Sequence, residues 1–431
     1  MHFPLRKKEP GLSGELFQDE TAPAHSIETY QVSPNGAQVV RRVSTRDGAS
    51  ATSEVSINTA APFAVEPHDL FDLSWLRSST RPDHSCRRGQ IKLVDLFSGC
   101  GALSLGIEEA CRALELGVKH VFAADINPLA LDTYSRNFLG ARYCGDPIES
   151  LVGAIGSPLS EVEKNFAAEF SEIDILAGGP PCQGHSDLNN HTRRQDPKNA
   201  LFESMIRFAQ VLRPRHVIIE NVPGVRNDKR GVTEIGRRAL EEMGYRVHEA
   251  ILMATNLGAA QKRRRYIMVG TSEPEFSFDN LATSKSERSL KWACGDLMSS
   301  TDSGVLNSHA SSSKDNRARI QYLFENNLYD LPNDLRPACH RLKKHSYQAV
   351  YGRLKWDEPA PTITSGFNSP GQGRFIHPSA PRTLTPHEAA RLQYLPDFFD
   401  WGRANREGLT QMIGNAVPPK LAYAVALELL R

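Results

Sequence analysis

The chain has 431 residues, 40% of them hydrophobic and 23% charged, with a formal net charge of +1. These are the proportions of a folded globular protein. The length exceeds one compact core of ordinary size, so one large domain, one smaller domain and some unpacked sequence are expected. No run of 18 apolar residues occurs, which excludes a membrane-spanning helix, and the opening MHFPLRKKEPGLSGELF lacks the apolar stretch of a secretory signal. The seven cysteines are scattered, with no C-x-x-C pair. That usage fits reduced thiols in a cytoplasm rather than a disulfide framework or a zinc site. Between His191 and Arg265 stand 16 Lys+Arg against 8 Asp+Glu. Such a local excess fits a surface facing a polyanion, and equally a set of solvated helix faces.

Residues 1–89 are rich in Ser, Thr, Ala and Pro. SPNGAQVVRRVSTRDGAS reads as a hairpin and HDLFDLSWLRSS as a short docking helix. The rest of this extension reads as weakly ordered, or ordered only against the main domain or a partner. From Ile91 onward short apolar runs alternate with helical patterns. IKLVDLF, HVFAADI, IDILAGG, HVIIENV, YRVHEAILMA and RRYIMVG are expected strands. GALSLGIEEACRALE, NPLALDTYSRNF, ALFESMIRFAQVLRP and VTEIGRRALEEMG are expected helices. This βαβα rhythm predicts an α/β fold whose parallel sheet is covered on both faces. Ligands of such sheets sit beyond the carboxyl ends of the strands. The rhythm breaks at residues 271–350, which read as an inserted module, and returns with the helices LTPHEAARLQYL and NAVPPKLAYAVALELL. The expected division is therefore 1–89, 90–270, 271–380 and 381–431.

Chemistry concentrates at the expected strand ends. DLFSGCGALSLG (95–106) is a strand, a glycine-rich turn and a helix start. Gly99 and Gly101 let the backbone approach a ligand and the helix N-terminus offers free N–H groups, although the spacing is not the dinucleotide fingerprint. Asp125 ends the second strand, where an acid accepts hydrogen bonds from ribose hydroxyls, and Asp146 follows the third. Three carboxylates at successive strand ends suit a nucleoside without phosphates, such as S-adenosylmethionine, although each acid singly is also an ordinary helix cap. GGPPCQGHS (178–186) holds Cys182 behind two prolines. It is either a small buried hydrophobe or a thiol presented at fixed geometry for nucleophilic attack. IIENV ends in Glu220, a carboxyl group that must be paired or protonated there. In QKRRRYIMVG, strand alternation points Arg263 and Arg265 to one side, as a pair for a carbonyl oxygen and a phosphate.

Together these segments resemble the DNA (cytosine-5) methyltransferase family, from about Ile91 to Leu430 and in the usual order. DLFSGCG is similar to its cofactor loop, GGPPCQG to its nucleophile loop, ENV and QKRRR to its base-holding motifs. RTLTPHEAARLQYLPD and IGNAVPPKLA are similar to its C-terminal motifs. The resemblance implies a Rossmann-like class I S-adenosylmethionine-dependent methyltransferase sheet with a small target-recognition domain. It implies that Cys182 attacks C6 of a cytosine flipped out of double-stranded DNA, with Glu220 on N3 and Arg265 on O2. Phe97, Ser98, Gly99, Cys100, Gly101, Asp125, Ile126, Asp146, Pro181, Leu201, Asn415 and Val417 are the implied cofactor contacts, and no metal is expected. Asn415 and Val417 would bring the last helix beside the first strand.

The chain departs from the family pattern at four positions. His185 replaces a usual Phe, Asp125 a usual Glu, Ala102 a usual Gly and His387 a usual Arg. Sequence outside the family framework is confined to about residues 298–345, where Arg336, Arg341, Lys343 and Lys344 are expected to touch phosphate. The small size of this module implies a short target, or help from residues 1–89 or a partner. The expected setting is a cytoplasmic restriction or phage-defence system, with its partner proteins. A tRNA cytosine methyltransferase and an inactive DNA-binding regulator are the alternatives, the latter opposed by the intact Cys182, Glu220 and Arg265.

Overall fold

The computed structural model describes residues 27–57, 66–181, 201–284, 286–299, 302–342 and 349–431. Cys182, His185, Lys343 and Lys344 lie outside the described residues.

The chain opens with three antiparallel strands, β1 (Glu28–Val32), β2 (Gln38–Ser44) and β3 (Ser50–Ser56), ordered β1-β2-β3. Alternation sets their faces: Val39, Arg41, Val43, Ala51, Ser53 and Val55 are buried, and the Ser, Thr and Glu residues between them on β3 are exposed. Helix α1 (Pro67–Leu76) begins on a proline at its first turn and buries Leu70, Phe71, Trp75 and Leu76 against this sheet.

The main domain follows as β4 (Gln90–Leu96), α2 (Ala102–Ala113), β5 (Gly117–Ala124), α3 (Pro128–Asn137) and β6 (Arg142–Cys144). Next come α4 (Glu161–Glu169), β7 (Ile175–Gly178), α5 (Leu201–Leu212), β8 (His216–Asn221), α6 (Val232–Glu242) and β9 (Arg246–Met253). The short β10 (Gln261–Lys262) precedes β11 (Arg264–Thr271). Seven strands form one sheet, ordered β6-β5-β4-β7-β8-β11-β9. The first five are parallel, and β11 runs antiparallel to both of its neighbours. Residues of alternate parity on each strand enter different cores. Leu93, Ile175, Ile218 and Ile267 pack with α2, while Val94, Leu176, Val217 and Tyr266 pack with α5 and α6. Burial on both faces is why these strands read as unbroken apolar runs. Chain order reverses around β4, so the loop after it lies at the switch point where open α/β sheets bind ligands.

The remaining elements are α7 (Leu290–Cys294), α8 (Lys314–Glu325), α9 (Ala338–Arg341), β12 (Ala360–Pro361), α10 (Pro386–Leu392), α11 (Arg406–Asn415) and α12 (Pro419–Leu430). Ile320, Leu323, Leu331, Val350, Tyr351 and Ile376 form a separate small core around α8. By contrast α7 packs into the large core with α1 and α10, and β12 pairs with β10. α12 returns to lie on α2, the helix that follows the first parallel strand. Gly106 of α2 makes this approach possible: a Cβ there would stand 2.2 Å from the Pro419 carbonyl oxygen.

The described part of the N-terminal extension is ordered against the large domain through buried charge. Arg41, 1% exposed, reaches Glu109 of α2 at 2.8 Å and the Tyr423 hydroxyl of α12 at 3.0 Å. Trp75 Nε1 donates to the other Glu109 oxygen, and Arg112 donates to the Glu54 carbonyl. Asp72 is held between Lys420 and Arg288, and these cations drive its pKa down against the opposing effect of burial. Among the described residues no helix is long and apolar enough to cross a membrane.

Candidate active site at the carboxyl ends of the parallel strands

β4 delivers a tight turn. Phe97 (φ 56°), Gly99 (φ 55°) and Gly101 (φ 92°) are all left-handed. For Phe97 that conformation is strained, a feature concentrated at ligand sites. Gly101 also has no room for a side chain, since a Cβ would meet the Phe138 ring at 2.3 Å. Asp125, just past β5, bridges this turn to its own. Its Oδ2 accepts from Gly99 N at 2.8 Å and its Oδ1 from Asn127 N at 2.8 Å. Burial raises the Asp125 pKa, opposed by those two N–H donors. Asp95 is fully buried below the turn, where Ser104 Oγ donates to it at 2.6 Å, and burial pushes its carboxyl up to about 7. Burial likewise lifts the Cys100 thiol to about 12, which leaves it unreactive.

The turn has unfilled binding capacity. Ser98 Oγ is buried with no hydrogen-bond partner among the described residues, a state that invites a ligand's polar atom. Ile126 projects from the end of β5 with 71% of its surface exposed, an apolar wall beside a carboxylate. Asp146 is exposed on the loop after β6, with Cys144 Sγ 3.8 Å from its carboxylate. An orphan hydroxyl, an apolar wall, carboxylates and no phosphate-binding cation on these turns suit a nucleoside with a zwitterionic tail. The residues therefore fit S-adenosylmethionine.

The neighbouring strand ends supply a second set of groups. A Cβ on Gly178 would meet the Leu96 carbonyl at 2.5 Å, so only glycine lets β7 lie this close. At Gly179 the built Cβ position is 3.1 Å from Glu220 Oε2 and 3.9 Å from Val417 Cγ2. The loop thus passes between Glu220 and the C-terminal turn bearing Val417. Asn221 Nδ2 donates to the Pro180 carbonyl at 3.2 Å, holding the two prolines, and Pro181 is the last described residue before Cys182. Glu220, 8% exposed at the end of β8, faces Arg265 Nε at 2.5 Å. β11 makes this contact by pairing Ile267 with Glu220, which leaves Arg265 beyond the strand end.

Arg263 requires a correction. Expected to share a face with Arg265, it is 2% exposed and donates to the carbonyls of Ile363 (2.7 Å), Gly414 (3.3 Å) and Ala416 (2.9 Å). The strand breaks between β10 and β11 at this residue, so period-two alternation does not carry across it. Leu201 is buried in the α5 core, and Asn415 is exposed at the end of α11. Among the residues implicated only by resemblance, His387 joins Asn307 Oδ1 (2.7 Å) to Asp397 Oδ1 (2.8 Å), tying the inserted segment to α10. Arg336 and Arg341 donate to carbonyls of their own module, Leu331 and Asp334. The sequence reading missed Gln261, fully buried, which joins Ile363 N, Leu392 O and Gln393 Oε1. No local pattern signals it, because its partners lie 102 to 132 residues away.

Residues 91–431 match the family described as C-5 cytosine-specific DNA methylase. The chain belongs to that family. It is 45% identical over 410 residues to the type II methyltransferase M1.BsuMI of Bacillus subtilis, covering 94% of this chain and 96% of that protein. It is 29% identical to the methylase M.HgiDII of Herpetosiphon aurantiacus, over 79% of this chain and 95% of that one. A crystal structure of a DNA modification methyltransferase encoded within an E. coli prophage superposes with a TM-score of 0.56 at 23% identity, covering 79% of this chain and 98% of that one. That likeness establishes the fold, a Rossmann-like methyltransferase sheet. The activity class of this methylase is DNA (cytosine-5) methyltransfer, and membership implies S-adenosylmethionine as methyl donor and DNA as substrate.

Proposed function

We propose that this methylase modifies cytosine at C5 in double-stranded DNA through a transient bond from Cys182 to C6 of the flipped base. The observation that carries the reading is the buried Glu220–Arg265 pair, set beside the Gly179-Pro180-Pro181 segment that leads into Cys182.

The edge of cytosine offers an amino donor at N4 and acceptors at N3 and O2. A protonated Glu220 accepts from N4 and donates to N3, while Arg265 donates to O2. Uracil and thymine carry the opposite pattern, an acceptor at O4 and a donor at N3, so the same pair rejects them. Protonation at N3 draws electron density from C6. The Cys182 thiolate adds there, and negative charge that would build on the ring is neutralised by Glu220 and Arg265. S-adenosylmethionine, held by Phe97, Ser98, Gly99, Gly101, Asp125, Ile126, Asp146, Pro181, Asn415 and Val417, supplies the methyl group. C5 takes that methyl group and S-adenosylhomocysteine is left. C5 then gives its proton to water, the C6–sulfur bond breaks to release the Cys182 thiolate, and N3 returns its proton to Glu220, with the ring's double bond restored. Asp125 carries the ribose role, with one backbone donor fixed on each oxygen.

The kinship with type II methyltransferases supports a setting in a cytoplasmic restriction-modification system, where methylation would protect host DNA from a cognate nuclease. Bisulfite sequencing of DNA from cells expressing the chain tests the reading. One short context should be methylated with the natural protein and unmodified with Cys182→Ser. Unmodified DNA in both overturns it.

A further inference from the structure

Resting on the reading above, we propose that Arg263 is a positioning residue for the methyl donor. It acts as a buried brace that presets the turn carrying Asn415 and Val417 and locks it to the base-holding strand.

The brace acts at the end of α11. The last carbonyls of a helix have no partner within it, and cationic donors at that end are favourable. Here two buried side chains from other elements take them. Arg263 donates to Gly414 O and Ala416 O, and Gln393 Nε2 donates to Ile413 O at 2.6 Å. Arg263 also grips Ile363 O at 2.7 Å, and Gln261 accepts from Ile363 N at 2.7 Å and donates to Gln393. The segments around 363 and 414 are pressed together: a Cβ on Gly414 would meet Ser365 N at 2.1 Å. One guanidinium therefore fixes three carbonyls on two segments that lie 100 and more than 150 residues from it in sequence.

What it fixes is the start of the turn. Ala416 is the residue where α11 ends, and Pro418 and Pro419 stiffen the far side before α12. The turn is thus held at both ends, with Asn415 between two braced carbonyls. Val417 lies against Gly179, which lies against Glu220, which pairs with Arg265. Arg263 sits at the break just before β11 and Arg265 two residues on, inside β11, so the cofactor lip and the base-side pair are tied through one short stretch of backbone. Lysine cannot replace this residue, because one ammonium group cannot span the same fork of acceptors.

Calorimetric binding of S-adenosylmethionine and of S-adenosylhomocysteine to the full-length protein, natural and Arg263→Lys, tests the brace. The variant should bind both ligands about 10- to 100-fold more weakly, as a misplaced contact dictates. Its KM for the methyl donor should rise in step, its affinity for DNA should hold within about twofold, and kcat should recover at saturating donor. Equal cofactor affinity in variant and natural protein overturns the brace. Failure of the natural protein to bind S-adenosylmethionine would instead sink the proposed function. If Arg263→Lys does not fold, amide hydrogen exchange on the natural protein without ligand decides. Asn415, Ala416 and Val417 should already be protected, and exchange at the rate of an open loop overturns the proposal.

Discussion

Gly106 sets two physical expectations against each other. It stands within α2, where replacing glycine by alanine ordinarily adds about 1 kcal/mol of stability. In this molecule the added Cβ falls 2.2 Å from Pro419 O, 2.5 Å from Ala422 Cβ and 2.9 Å from Tyr423 N. Two of these atoms belong to the backbone at the start of α12 and cannot rotate aside. Real Cβ atoms essentially never stand closer than 3.0 Å, so the 2.2 Å contact must open by at least 0.8 Å. Overpacking of that kind costs about 1–3 kcal/mol. Retreat of α12 also loosens Leu421 and Val425, which are buried between the helices. With three contacts under 3.0 Å, two of them to backbone, the cost falls in the upper part of that range, about 2–3 kcal/mol, and the net expectation for Gly106→Ala is a loss of about 1–2 kcal/mol after the helix-propensity gain. Because α12 starts at the turn bearing Val417, weaker binding of S-adenosylmethionine should accompany it. Urea unfolding followed by circular dichroism at equal slopes measures the first effect, and calorimetry the second. A midpoint at or above that of the natural protein would show that propensity prevails and that the helix contact is not as tight as described.

Arg41→Met removes the cation shared by Glu109 and Tyr423 and should lower stability by about 3 kcal/mol, with part restored when Glu109→Leu is added; an unchanged thermal midpoint would remove the proposed anchoring of the N-terminal sheet. Asp95 has a folded pKa near 7 against an ordinary 3.8, so the folded state resists its ionisation and stability drains as pH rises between those values. Asp95→Asn should therefore gain about 2–4 kcal/mol over the natural protein at pH 8 and almost nothing at pH 4; a gain independent of pH would contradict the burial of that carboxyl. Glu220→Gln keeps the shape but cannot give N3 a proton, and kcat should fall by about 10²–10⁴; full turnover would clear Glu220 of that role.

The parallel sheet was legible because strands buried on both faces are written as plain apolar runs, and the candidate site was legible as a place because its glycines, prolines and acids sit at their ends. The three-stranded N-terminal sheet was legible only as a hairpin. β3, SATSEVS, turns just Ala51, Ser53 and Val55 inward, and such a strand looks like polar linker. Arg41 misleads in the same way, since a buried arginine is identified only through its partners on α2 and α12. α7 lies in a stretch that reads as an insertion, yet Leu290 and Ala293 complete the large core. Arg263 was misread for a different reason. Its acceptors are backbone carbonyls far along the chain, and carbonyls leave no mark in a sequence.

The central claim is a covalent bond between this protein and its substrate base. A duplex with 5-fluorocytosine at the site identified by bisulfite sequencing cannot release a C5 proton. After incubation with the methyl donor and denaturation, mass spectrometry should find protein and methylated duplex strand joined, with the attachment on the peptide containing Cys182. An active enzyme that leaves no such adduct, or one attached through another residue, would contradict the account.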